Sequence, residues 1–95
     1  MAFCYILHSK TLDRYYYGST ELDPPERLEL HLQRYYGSMK FTAKVNDWIL
    51  VCTISCESIN QARRIEAFIK KMKSKKYVAS LISNQEKVDW LLKNL

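Results

Sequence analysis

Glycine and proline are scarce, two of each in 95 residues, and that scarcity excludes collagen-like, low-complexity and linker-rich chains. No apolar run approaches the roughly 20 residues that a bilayer span needs; the longest surrounds Trp48–Cys52. The opening Met1-Ala2-Phe3 lacks the charged-then-apolar pattern of a leader, so a cytoplasmic protein with no membrane partner is expected. Cysteine is sparse and odd in number. Cys4, Cys52 and Cys56 form no C-x-x-C pair, which argues against a zinc clip or a redox dithiol and for buried, reduced thiols. Acidic residues are also short, 10 against 15 Lys+Arg, for a net charge of +5 and a pI near 9.2. That balance favours a polyanionic partner, nucleic acid ahead of a membrane surface.

What is present is enough to fold. With 47 % hydrophobic and 26 % charged residues, the chain reads as one domain over residues 1–95. A chain of this size buries only about 60–65 % of its extended surface, so a shallow cleft is expected rather than a deep cofactor cavity. Phe3-Cys4-Tyr5-Ile6-Leu7-His8 is aromatic and β-branched, and after the polar break at Ser9–Asp13 comes Arg14-Tyr15-Tyr16-Tyr17-Gly18. The pattern predicts a hairpin. If Tyr5 and Tyr16 are opposite, or two residues out of register, their phenols share a face.

Helix signals follow. Asp23-Pro24-Pro25-Glu26 supplies an N-cap and a first-turn proline, and Tyr36-Gly37 a stop, predicting a helix over about 24–36. Leu28, Leu32 and Tyr35 form its apolar stripe, beside which Arg27, His31 and Arg34 fall on one line. A polar loop leads into Trp48–Ser55, whose near-continuous apolar character predicts a central strand. Ser58-x-x-Gln61 starts a helix over about 58–74 with Ala62, Ile65, Ile69 and Met72 inward. Tyr77–Ile82 reads as a short helix, and Ser83-x-x-Glu86 caps a last one with Val88, Leu91, Leu92 and Leu95 inward. The expected class is α+β: a small three-stranded antiparallel β-sheet flanked by helices, in the order β-β-α-β-α-α.

These residues together resemble a known family. Cys4-Tyr5-Ile6, Tyr16-Tyr17-Gly18, Arg27 and His31, and Glu66 are similar to the GIY-YIG nuclease domain in its short stand-alone bacterial branch, and the similarity covers about residues 3–82. The resemblance implies a metal-dependent endonuclease acting on DNA. Tyr5, Tyr16, Arg27 and His31 would be catalytic, with Glu66 as ligand of a single Mg²⁺ or Mn²⁺ and no small-molecule cofactor. It also implies a nucleoid-associated role in DNA repair or recombination. Several positions depart from the family pattern. Phe3 stands where the first motif has glycine, Ser19-Thr20 where some relatives have a lysine, and Val78 where others have an asparagine.

The chemistry suits these residue types. Phosphodiester hydrolysis needs a deprotonated water, a cation against the growing phosphoryl charge and support for the departing oxygen. Arg27 offers a planar donor fork for a phosphate. Either tyrosine can serve as the base once neighbouring cations favour its phenolate, and His31, one turn from Arg27, can orient a tyrosine or relay a proton. Glu66 is the one acid among seven basic residues between Arg63 and Lys76, so that segment holds +6 in a chain of +5. Arg34, Lys40, Lys44, Arg63, Lys70, Lys71 and Lys73 are the expected nucleic-acid contacts.

Two other readings compete. A degenerate nuclease fold could hold nucleic acid through residues 63–76 without cutting it. An adaptor could present its last helix (Val88, Trp90, Leu91, Leu95) to another protein. The expected protein is a monomer, DNA its target ahead of RNA, with a separate targeting protein as a possible partner because no targeting module accompanies the domain.

Overall fold

A computed structural model describes residues 2–21, 25 and 47–95. Three strands, β1 (Ala2–Ser9), β2 (Arg14–Thr20) and β3 (Trp48–Cys56), precede three helices, α1 (Ile59–Met72), α2 (Lys75–Ser83) and α3 (Gln85–Asn94). Of the helix expected over 24–36 only Pro25 is described, and it is helical; Arg27, His31 and Arg34, and the loop with Lys40 and Lys44, lie outside the described residues. The protein is an α+β fold on a three-stranded antiparallel sheet in the order β2-β1-β3. Among the described residues no helix is long and apolar enough to cross a membrane.

The central strand is β1, not β3. Trp48-Ile49-Leu50-Val51 is continuously apolar for a different reason, a bulge that changes which face the strand presents. Ile6 pairs with Cys52 but Leu7 pairs with Leu50, leaving Val51 over, so the alternation shifts by one residue at that point. Trp48 and Leu50 thereby join Tyr5 and Leu7 on one face, while Ile49 is left 57 % exposed.

The sheet's two faces carry different chemistry. Ala2, Cys4, Ile6, Ile54 and Cys56 pack under Ala62, Ile65 and Ile69 of α1, Val78 and Leu81 of α2, and Val88 and Leu91 of α3. The cysteines are free, and all three lie on this face, Cys52 and Cys56 flanking Ile54, the register partner of Cys4. Burial raises each thiol above its ordinary range, so they are poor nucleophiles. Tyr5, Leu7 and Trp48 are buried on the opposite face, with Leu12, Tyr16 and Leu50 against them.

Helix ends follow the expected capping chemistry with small shifts. Ser58 Oγ accepts from Gln61 N–H, and the Gln61 amide, buried, accepts from Glu57 N–H at 2.8 Å and donates to Leu92 O at 3.0 Å, tying α1 to α3. Met72, expected inward, is 43 % exposed: it stands in the last turn before left-handed Lys73 ends the helix. The last helix is capped by Asn84, whose Oδ1 accepts from Glu86 N–H, and not by Ser83, whose hydroxyl bonds back to Ala79 O as the final residue of α2. Val88 and Leu91 are buried and Leu92 and Leu95 only half-buried.

The β1–β2 loop is pinned to the entry of β3. Asp47 accepts from Ser9 Oγ at 2.6 Å and from Thr11 N–H at 2.9 Å, and these donors hold its carboxyl down at about 2. A carboxyl depressed in the folded state stabilises it above the unfolded value of about 3.9 and ceases to as the pH falls towards 2. Chemical denaturation between pH 5 and pH 2 should therefore show a loss of stability that is smaller in Asp47→Asn than in wild type. Equal losses in the two proteins would remove Asp47 as a contributor.

Candidate active site

Two phenols are brought together by strand register. Tyr5 pairs with Gly18, and Tyr16 with Leu7, so the tyrosines are diagonal neighbours on one face, ring centroids 6.4 Å apart and tilted by 44°. Tyr5 is fully buried, whereas Tyr16 is half-exposed and meets the edge of Trp48 at 6.3 Å. Gly18 makes the arrangement possible. A Cβ there would fall inside contact distance of Cζ and Oη of Tyr5, so the Tyr5 phenol lies across Gly18, over β2. Tyr17, the residue between, points to the other face and stacks on Tyr15 at 6.4 Å; burial, then the neighbouring Tyr15, keeps its phenol protonated by raising it above its usual range.

Glu66 is carried by α1. The helix packs mainly on β2 and β1, and Glu66, on the border of the buried stripe, has a side chain 18 % exposed with Oε2 2.7 Å from Lys70 Nζ. After burial, its charge is the largest influence raising the Cys4 thiol of β1. The Tyr5 phenol thus lies over β2, an edge strand among the described residues, at Gly18, on the face opposite the helical layer, while Glu66 belongs to α1.

The carboxylate could hold a divalent cation in one way. Among the described residues no three His, Cys, Asp or Glu groups converge to cage a metal. A half-buried single carboxylate suits a cation that keeps most of its waters, as Mg²⁺ does, and not one that demands a protein cage. Lys70 Nζ sits on one of its two oxygens, Oε2, at 2.7 Å.

The family model of the GIY-YIG catalytic domain matches residues 1–78. The chain belongs to the GIY-YIG family. No curated protein and no solved structure matches it significantly. Membership makes this a nuclease-type domain that engages nucleic acid, and Tyr5, Tyr16 and Glu66 are the described members of the set that the motifs single out.

The basic segment of this GIY-YIG domain is not one surface. Arg63 and Lys70 share a row of α1 with Glu66, whereas Arg64 and Lys71 lie beside Phe68 on another row. Lys73 is the left-handed cap. Lys75 is turned back to the hairpin tip, bonding Asp13 O at 2.7 Å and its carboxylate at 3.1 Å, and this bond is the first cause of a lowered Asp13 carboxyl. Two contributors escaped sequence reasoning. Gly18 supplies space for Tyr5, legible only once the register is known. Trp48 reaches Tyr16 through the Val51 bulge, for which the four-residue apolar run was the available signal.

Proposed function

We propose that the protein is a divalent-metal-dependent endonuclease cutting DNA to leave 5′-phosphate and 3′-hydroxyl ends. The observation that carries this reading is the Tyr5–Tyr16 pair, set over a glycine that admits the phenol. Tyr16, the more exposed of the two, is the base: its phenolate takes the proton of the attacking water as the new P–O bond forms and the bond to the 3′ oxygen breaks. Tyr5, buried beneath it, holds that ring in place. Glu66 would hold the cation, which supplies charge neutralisation on the phosphoryl oxygens. Arg27 serves as the phosphate fork, His31 as the proton relay to the leaving oxygen, and Arg63 and Lys70 contact the phosphates beside Glu66.

Supercoiled plasmid incubated with the protein and Mg²⁺ or Mn²⁺ should accumulate nicked circles, and none in excess chelator. Persistence of intact plasmid, together with branched DNA and RNA substrates left uncut across these metals, would leave only the binding module. For the adaptor reading, Val88 and Leu91 of α3 are buried while Trp90 is exposed, and a monomer by light scattering would dismiss it.

A further inference from the structure

An aromatic ledge lies on the helical layer, away from the tyrosine pair. Phe68 of α1 stands 6.3 Å from Tyr77 of α2, edge to face, and 5.9 Å from Trp90 of α3. Trp90 is 51 % exposed, far more than a ring kept for core packing needs to be. The ledge is rigid. Gln61 bonds α1 to Leu92, Arg64 Nε donates to Leu95 O at 2.7 Å, and Lys87 Nζ bonds Ser80 Oγ at 2.8 Å while lying 5.7 Å over the Tyr77 ring.

Its electrostatic frame is cationic. By helical spacing Arg64 and Lys71 lie one turn before and after Phe68, and Lys87 and Lys93 one turn before and after Trp90; Glu86 is the acid at that spacing. An exposed flat ring framed by cations fits one ligand chemistry best, a nucleobase stacked on the ring with its phosphates among the lysines. A protein partner would be matched by an apolar patch with both signs of charge at its rim.

We propose that the Phe68–Tyr77–Trp90 ledge is a stacking platform for the unpaired bases of a single-stranded nucleic acid. It makes a tail, flap or unpaired end part of the preferred target. This rests on the nuclease reading for its biological purpose but not for its test.

The test uses the full chain in chelator, so that no cleavage intervenes. Trp48 is buried at 2 % exposure, so a stacking base quenches Trp90 alone. Titration with an unstructured oligothymidylate should quench tryptophan emission of the wild type, and Trp90→Ala, followed by the anisotropy of a fluorescein label on the oligonucleotide, should bind it roughly tenfold more weakly or worse. Trp90→Phe, which keeps a stacking face, should bind within about threefold of wild type, and a blunt duplex of equal charge should not quench. Unchanged affinity in Trp90→Ala, equal loss on the blunt duplex, or a Trp90-dependent dimer by light scattering would each overturn the proposal. Plasmid nicking is scored separately: quenching without nicking keeps the platform and removes the nuclease, and nicking without quenching does the reverse.

Discussion

Glu66→Gln should lower metal-dependent cleavage by about a thousandfold or more while leaving the fold intact, measured as single-turnover rates beside a thermal melt. The two effects separate because Glu66 contributes little to stability. Its described partner is Lys70 at 2.7 Å, an i,i+4 pair with a side chain 54 % exposed, and such pairs are worth about 0.3–0.5 kcal/mol. The helix keeps its cap at Ser58 and its buried stripe of Ala62, Ile65 and Ile69. What the substitution removes is a charge: glutamine keeps the shape and loses the anion that a hydrated divalent cation requires. Full activity in Glu66→Gln would move the metal elsewhere. An unfolded variant would show that the carboxylate is structural.

Gly18→Ala should cost both stability and activity. The added Cβ would occupy the space of the Tyr5 phenol, and Tyr5 has nowhere to yield, being fully buried between Leu7, Trp48 and their neighbours. Overpacking of this kind costs about 1–3 kcal/mol, which for a domain of this size lowers the melting temperature by roughly 4–8 °C per kcal/mol. Cleavage should fall about a hundredfold beyond what the unfolded fraction explains, because a displaced Tyr5 no longer supports the ring of Tyr16, 6.4 Å away. Gly18→Ala with wild-type melting and activity would show that the ring moves aside without cost and that its position over β2 is immaterial.

Much of this was legible in the sequence because the signals were local. Ser58-x-x-Gln61 marked the start of α1, the alternation of Ala62, Ile65 and Ile69 marked its buried face, and the turn residues between Leu7 and Tyr15 marked the hairpin. The Tyr5–Tyr16 pairing was legible as one of two registers, and the structure selects the diagonal one, with Gly18 opposite Tyr5. What could not be read was set by tertiary geometry. The order β2-β1-β3 places the nine-residue apolar strand outside β1, because a bulge at Val51 makes both faces of β3 apolar in turn and so imitates a central strand. The even spread of lysines over 63–76 gave no hint that Lys75 turns back to Asp13 while Arg64 and Lys71 frame Phe68. The aromatic ledge joins residues from three helices, and no spacing within one of them announces it.

The role proposed for Tyr16, removal of the proton from the attacking water, is decided by the single-turnover cleavage rates of wild type and Tyr16→Phe at saturating Mg²⁺, with DNA affinity measured in parallel. Loss of a general base costs about 10²–10⁴-fold, so Tyr16→Phe should bind DNA as wild type does and cut it at least a hundredfold more slowly. Cleavage by Tyr16→Phe at the wild-type rate would contradict the account.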